Sequence, residues 1–343
     1  MLEFVRSNIL RMRGYEPGEQ PQDGEYLKLN TNENPFPPSP RVVEALRQAL
    51  TGDRLRKYPD PLGRQFRETA ARVFGIPAEA ILIANGSDDA LTIITRTLVP
   101  ERGRVVFPTP SYLLYETLAQ IQGAETHTIP FTPTGDLNPQ DVPDGVHLSY
   151  IPNPNSPTGT VVPRSRLHHW PTPLVIDEAY ADFAEENYLA LPLTQEKVIV
   201  TRSLSKSYSL AGIRFGFAVA HPELTRQFYK VKDSYNCDAL SLVAATAAIE
   251  DQDYMRSNVA RIRATRQRII PHLRRLGFSV PDSQANFVWC RHAERPARWI
   301  YEQLKARRIL VRYMSYPEID GLRITIGTDA DMDRLLDELR RLV

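Results

Sequence analysis

The sequence predicts an α/β protein, with a large domain built on alternating strands and helices and a smaller α+β unit at its C-terminal end. Three observations carry this. Short apolar runs at 80–84, 104–107, 146–151, 174–176 and 198–201 have the length and composition of buried strands. Helical patterns and turn residues separate them, as in Ala90–Leu98. Polar residues capable of chemistry follow directly after the strands, where open α/β sheets place their ligands. At 343 residues the chain has room for two domains or one large one.

Residues 1–40 are rich in proline, glycine and asparagine and end in Asn34-Pro35-Phe36-Pro37-Pro38-Ser39-Pro40, which rules out a long helix there. The segment reads either as a disordered arm or, from the strand pattern Tyr26-Leu27-Lys28-Leu29, as an ordered one. A helix begins near Arg41, with Ser39 as cap and Pro40 in the first turn. Lys57-Tyr58-Pro59-Asp60 is a turn in which Tyr58, taken alone, is a packing residue. The strand 80–84 runs into Asn85-Gly86-Ser87-Asp88 and then a helix. Glycine lets backbone N–H groups approach a ligand, and a helix N-terminus offers free donors and a positive dipole end. This is either a phosphate cup or an ordinary turn capped by Ser87 or Asp88. The strand 104–107 leads to a loop carrying Tyr112, and 146–151 leads to Asn153-Pro154-Asn155-Ser156-Pro157-Thr158-Gly159, a run of turn formers.

Asp177 ends the next strand, with Tyr180 three residues on. A carboxylate there is costly to bury without a cationic or proton-bearing partner, which a local arginine or a protonated ligand nitrogen could supply. After the strand 198–201 comes Ser203-Leu204-Ser205-Lys206-Ser207, followed by Arg214. A lysine that is partly desolvated beside another cation loses proton affinity and becomes a nucleophile toward carbonyls; otherwise it is a solvated loop residue. Ser203, Ser205 and Arg214 suit a phosphate dianion. Residues 253–276 read as one long helix with a basic, solvated face (Arg256, Arg261, Arg263, Arg266, Arg268). The C-terminal unit has strands at 286–290, 309–312 and 321–327 and helices at 295–307 and 330–343. Arg312 and Arg323 stand in otherwise apolar strands, where an arginine usually meets an anion.

Composition is that of an ordinary globular protein, 42% hydrophobic and 24% charged. Lys+Arg 42 against Asp+Glu 41 argues against a nucleic-acid partner held by bulk charge. The two cysteines, Cys237 and Cys290, form neither a disulfide framework nor a metal-ligand pattern, and no metal is expected. No signal peptide and no apolar stretch of ~18 residues is visible, so a cytoplasmic protein without a membrane partner is expected.

Taken in order, the Asn85–Asp89, Asn153–Gly159, Leu174–Tyr180 and Ser203–Arg214 motifs are similar to those of pyridoxal-phosphate enzymes of the aspartate aminotransferase fold. Among these, the chain most resembles the histidinol-phosphate aminotransferase family, from Asn32-Glu33-Asn34-Pro35 to Arg323. The resemblance implies the type I fold of pyridoxal-phosphate-dependent transferases. Its large domain, over 41–255, has a mostly parallel central sheet flanked by helices. A small α+β domain covers 256–343, and the 1–40 arm joins it.

The resemblance also implies the cofactor pyridoxal 5'-phosphate, bonded to Lys206, which then serves as general base. Gly86, Ser87, Asp88, Ser203, Ser205 and Arg214 would hold its phosphate, Tyr112 would stack on its ring, and Asp177 would face its pyridine nitrogen. Tyr180 and Asn155 would bond its phenolic oxygen. The family usually has asparagine directly before Pro-Thr-Gly, where Ser156 stands here, so either Asn155 swings in or Ser156 substitutes. Tyr58 would reach the partner's cofactor phosphate across a homodimer interface, and Tyr15, Asn34, Arg312 and Arg323 would bind substrate. The implied reaction exchanges an amino group between histidinol phosphate and 2-oxoglutarate, giving imidazole acetol phosphate and glutamate, in histidine biosynthesis. An aromatic or broad-specificity aminotransferase, a decarboxylase of a phosphorylated amino acid and a non-enzymatic relative of the fold are the alternatives.

Overall fold

In the computed structural model, residues 3–131 and 136–343 are described. The strands, in chain order, are β1 (Leu27–Leu29), β2 (Ile81–Ala84), β3 (Arg104–Thr109), β4 (Glu125–Pro130), β5 (Leu148–Pro152) and β6 (Leu174–Asp177). They continue with β7 (Val198–Ser203), β8 (Gly216–Val219), β9 (Phe278–Ser279), β10 (Phe287–His292), β11 (Ile309–Ser315) and β12 (Asp320–Thr325). A seven-stranded sheet has the order β2-β8-β7-β6-β5-β3-β4. Only β8 runs against its neighbours, so the sheet is mostly parallel. Every residue of β2, β5, β6, β7 and β8 is buried, as covering both faces of a parallel sheet requires. Alternate residues serve opposite faces: Ile81 and Ile83 enter one apolar cluster, Leu82 and Ala84 the other. The edge strand β4, with Glu125 to Thr128 exposed, has no apolar run, and so the sequence did not announce it.

The second sheet has the order β1-β11-β12-β10-β9. Its outer strand β1 comes from the N-terminal arm and pairs in parallel with β11, Leu27 opposite Ile309 and Leu29 opposite Val311. The arm is thus ordered by the far end of the chain. From β1 it crosses back to the helix Pro40–Ala49, where the Ser39 side chain accepts from Arg41 N as the cap pattern predicts. The long helix spans Gln252–Arg275. Its basic face is not wholly solvated: Arg266 is 5% exposed and donates from Nη1 to Ala285 O at 2.7 Å, because the loop before β10 lies against that side.

The sheet's register places the site. Pro152, Asp177 and Thr201 are side by side at the C-terminal ends of β5, β6 and β7. Gly216, at the start of β8, lies between Ser203 and Ala84. A Cβ on Gly216 would come 2.6 Å from Ser87 N and 2.7 Å from Arg202 O, so only glycine lets the Gly86–Ser87 turn rest on this strand. Gly216→Ala forces two backbone segments apart. It is expected to destabilise the protein by about 1–3 kcal/mol, the usual cost of overpacking. An unchanged chemical-denaturation midpoint would contradict this account of the turn.

Candidate active site

A cavity of about 240 Å³ opens where the C-terminal ends of the parallel strands face the second sheet and the arm. Lys206 enters it from the loop after β7, which is braced from below. Arg202, buried in β7, pairs with Glu178 Oε2 at 2.7 Å and Asp182 Oδ1 at 2.8 Å, and Ser207 Oγ donates to Asp182. Asn34 Nδ2 donates to the carbonyls of Lys206 and Ser207 at 2.9 and 3.2 Å. The lysine's Nζ donates to Thr31 O at 3.0 Å and meets no carboxylate in an ion pair among the described residues. Burial brings its pKa down to about 8, with the Arg323 charge adding to the shift and Glu33 and Asp88 opposing it.

Asp177 is 5% exposed. Its carboxylate accepts from Tyr115 Oη at 2.8 Å, Thr201 Oγ1 at 3.1 Å and Ala179 N at 3.3 Å. No cation pairs with it among the described residues. Burial therefore raises its pKa to about 6, against the opposing bond from Tyr115. Tyr115 stacks on Tyr150 at 4.9 Å and meets Tyr112 edge-on at 5.6 Å. Tyr112 donates to Asp88 Oδ1 at 3.2 Å and meets Tyr15 edge-on at 5.8 Å. Tyr180 Oη accepts from Asn32 Nδ2 at 2.9 Å, and its ring packs edge-on against Phe287.

At the other side of the cavity the helix Ser87–Leu98 presents its N-terminus, entered through Gly86 at φ +85. A Cβ on Gly86 would lie 2.8 Å from Arg214 Nη2. Arg214 reaches Asp88 Oδ2 only at 3.4 Å, leaving most of its donors free. Ser203 and Ser205 line the same corner. Ser205 Oγ is buried without a partner among the described residues, a feature expected where an anion belongs.

Arg312 and Arg323 sit directly opposite each other on β11 and β12, an arrangement of like charges that a sheet disfavours unless oxygens compensate. Arg323 donates to Ser156 Oγ at 2.9 Å and Asn30 O at 3.0 Å; Arg312 donates to Glu16 O and Pro17 O, both at 3.0 Å. Neither pairs with a carboxylate among the described residues.

Most residues singled out from the sequence therefore meet in one cavity: Ser87, Asp88, Tyr112, Asp177, Tyr180, Ser203, Ser205, Lys206, Arg214, Tyr15, Arg312 and Arg323. Gly86 lies just behind it, and Asn34 braces the lysine loop from outside. Asn155 is buried beside the cavity, donating to Pro110 O and Thr158 Oγ1, with its Oδ1 unpartnered, whereas Ser156 lines the cavity itself. Tyr58 is elsewhere, 80% exposed and stacked on Tyr235 at 4.4 Å. Sequence reasoning missed Tyr115, Thr201, Asn32 and the Arg202–Glu178–Asp182 network. Arg202 did carry a signal, since a charge inside an apolar strand requires a partner. Tyr115 carried none.

The donor set fits pyridoxal phosphate. A lysine of lowered proton affinity, a buried carboxylate that lacks a cation, and an anion cup with an orphaned hydroxyl match its carbonyl, its ring nitrogen and its phosphate. The fold and site thus define a pyridoxal-phosphate enzyme. The family described as aminotransferase class I and II matches residues 24–339. The chain is 48% identical to the histidinol-phosphate aminotransferase of Rhodopirellula baltica, over 98% of this chain and 95% of that one. It is 44% identical to histidinol-phosphate aminotransferase 1 of a Nostoc species, over 100% and 99% of the two chains. The crystal structure of the Sinorhizobium meliloti histidinol-phosphate aminotransferase in complex with pyridoxal-5'-phosphate superposes with a TM-score of 0.89 at 27% identity, covering 100% of this chain and 99% of that one. The chain belongs to the class I and II aminotransferases and, within them, to the histidinol-phosphate aminotransferase family.

Two expectations follow from the electrostatics. Lys206 is nucleophilic only as the free amine, which predominates above pH about 8. Reductive trapping of pyridoxal phosphate at Lys206 in the apoprotein should rise with pH and level off just above 8. A rise continuing past 10 would mark an ordinary lysine. Asp177 has a folded-state pKa of about 6 against an ordinary 3.8, so the folded state holds this proton more tightly than the unfolded state does. Its contribution to stability is complete below pH about 4 and lost as pH rises through 6. The stability advantage of Asp177→Asn over the parent apoprotein should grow across that window. A difference that stays constant from pH 4 to 7 would refute the shift.

Proposed function

We propose that the protein transfers an amino group between histidinol phosphate and 2-oxoglutarate, giving imidazole acetol phosphate and glutamate, in histidine biosynthesis. The observation that carries this is one cavity holding both a cofactor-type lysine and aspartate and, on the second sheet, two arginines that no carboxylate neutralises among the described residues. Pyridoxal phosphate, when bound, supplies an electron sink for the pair left on the substrate's amine-bearing carbon. Asp177 keeps the ring nitrogen protonated. Its own proton affinity, raised by burial and further by the Asp88 charge, would fall once that cation is beside it. Tyr115 and Thr201 fix the orientation of its carboxylate. Lys206 Nζ, with a pKa near 8, takes the proton from the amine-bearing carbon and passes it on within the cavity. Tyr180 would donate a hydrogen bond to the cofactor's phenolic oxygen, with Asn155 nearby, and Tyr112 would cover the ring. The helix N-terminus at Gly86, Ser87 and Asp88 holds the cofactor phosphate with Ser203, Ser205 and Arg214. Arg323 and Arg312, with Tyr15 above and Asn34 supporting the loop, hold the substrate phosphate and, in the second half-reaction, a dicarboxylate.

A homodimer completes this reading. The helix Ala239–Glu250 is apolar on every face, yet Leu240, Leu242 and Val243 remain half-exposed. Ala239, Leu242 and Val243 line a surface cavity with Tyr58, and Leu50, Leu55 and Tyr235 are exposed as well. A second copy covering this face would carry Tyr58 to the partner's phosphate cup. Cys237 and Cys290, both buried and unpaired, suit the reducing cytoplasm. Among the described residues no helix is long and apolar enough to cross a membrane.

The direct test is the absorbance of the purified protein. A visible cofactor band should bleach on adding histidinol phosphate and return with 2-oxoglutarate. A band indifferent to histidinol phosphate would transfer the chemistry to another amine, such as an aromatic amino acid. Sedimentation should show a dimer at micromolar concentration. Tyr58→Ala should weaken pyridoxal phosphate binding by about tenfold, the size of one lost hydrogen bond to a charged group. A monomeric protein, or unchanged affinity, would remove Tyr58 from the site.

A further inference from the structure

Asn32 lies in the stretch of arm that crosses from β1 to the large domain, 1% exposed and at φ +56, a left-handed conformation that asparagine tolerates. Three bonds tie it to the second sheet. Its N–H donates to Thr325 Oγ1 at 2.9 Å, its Oδ1 accepts from Thr325 Oγ1 at 3.0 Å, and its carbonyl accepts from Asn286 Nδ2 at 3.0 Å. The remaining end of the side chain, Nδ2, donates to Tyr180 Oη at 2.9 Å.

The direction of this last bond is determined by the others. The backbone N–H of Asn32 can only donate, so Thr325 Oγ1 accepts there and must give its single proton elsewhere. Asn32 Oδ1 is the acceptor it has among the described residues. Reversing the amide would aim two donors at the threonine oxygen and leave its proton without a partner, in a residue only 3% exposed. The amide nitrogen therefore faces Tyr180. A tyrosine hydroxyl has one proton, and that proton cannot point at a donor. It is left to point into the cavity, where Tyr180 has no other partner among the described residues.

We infer that Asn32 is a positioning residue, whose amide occupies a lone pair of Tyr180 Oη and thereby aims the phenol proton at the ligand oxygen in the cavity. This rests on the reading above that Tyr180 meets the phenolic oxygen of pyridoxal phosphate. Its consequence is that the second sheet, through Thr325 and Asn286, sets the hydrogen bond that steadies negative charge on that oxygen. A cofactor site built on the large sheet is then fully formed only when the arm and the second sheet are in place.

The test reads the pH midpoint of the cofactor's visible band in the holoenzyme, which rises when the phenolic oxygen loses a donor. The charged and titratable groups around Tyr180 are Lys206 at 5.9 Å from its ring, Arg323, Asp177, Tyr15 and Tyr112, and none of them is altered. Asn32→Asp keeps the local geometry, because its carboxylate still accepts from Thr325 Oγ1 and aspartate also tolerates positive φ. That carboxylate can only accept from Tyr180, however, so it turns the phenol proton away from the cavity. Asn32→Asp should raise the midpoint by about one pH unit, the size of a hydrogen bond to a charged oxygen. Because the new charge alone also raises it, the same substitution is measured in a Tyr180→Phe background, where the shift should be clearly smaller. Asn32→Gly, which suits the backbone and adds no charge, should move the midpoint in the same direction by less. An Asn32→Asp shift of equal size in both backgrounds, or no shift with Asn32→Gly, overturns the inference. A midpoint unmoved by Tyr180→Phe alone overturns instead the reading of Tyr180 on which it rests.

Discussion

A carboxylate buried at the end of a parallel strand has to be compensated, and among the described residues Asp177 meets two hydroxyls and a backbone N–H but no cation. Tyr115 and Thr201 orient the group without neutralising it, and burial raises its pKa to about 6 against their hydrogen bonds. Such a carboxylate suits a cationic ring nitrogen, the partner proposed for it. Lys206 shows the converse. It is a cation held where burial and Arg323 discourage its charge, with the Thr31 carbonyl and the Tyr180 ring, and no carboxylate in an ion pair, as its partners among the described residues. The two groups are pushed toward neutrality from opposite directions, which brings both pKa values near neutral pH, where proton transfer by a side chain is most effective.

Holding these groups in place falls to structure that takes no part in the chemistry. The Arg202–Glu178–Asp182 network lies directly beneath the lysine loop, with Arg202 and Glu178 buried and Asp182 partly so. Removing one partner would leave an uncompensated charge inside the sheet, so the network is a rigid foundation rather than a net source of stability. Gly216 does the same for the phosphate side by letting the Gly86–Ser87 turn lie against the strand.

The arm joins the two sheets. As β1 it belongs to the second sheet; a few residues later it supplies Thr31 to Lys206, Asn32 to Tyr180 and Asn34 to the lysine loop. Arg312 and Arg323 reach the same cavity from β11 and β12, held by arm carbonyls and by Ser156. The site is an interface between three parts of the chain, and the arginines that face the cavity are far from the lysine in sequence.

The sequence by itself determined the α/β architecture, because buried parallel strands must be continuous apolar runs and their polar residues collect at the ends. It also singled out Asp177, Lys206, Arg214 and the Gly86–Asp88 turn, because these residues, several of which admit a plain structural role alone, follow one another in the order of a single cofactor's binding motifs. Tertiary structure alone decided the rest. The polar edge strand β4 has no apolar pattern to read, Arg266 turns inward for a carbonyl, and Tyr115 and Asn32 act through partners distant in sequence. Periodicity reports which face of a segment is buried. It does not report which distant hydrogen-bond donor a buried acceptor will meet, because that pairing exists only after the sheets have docked.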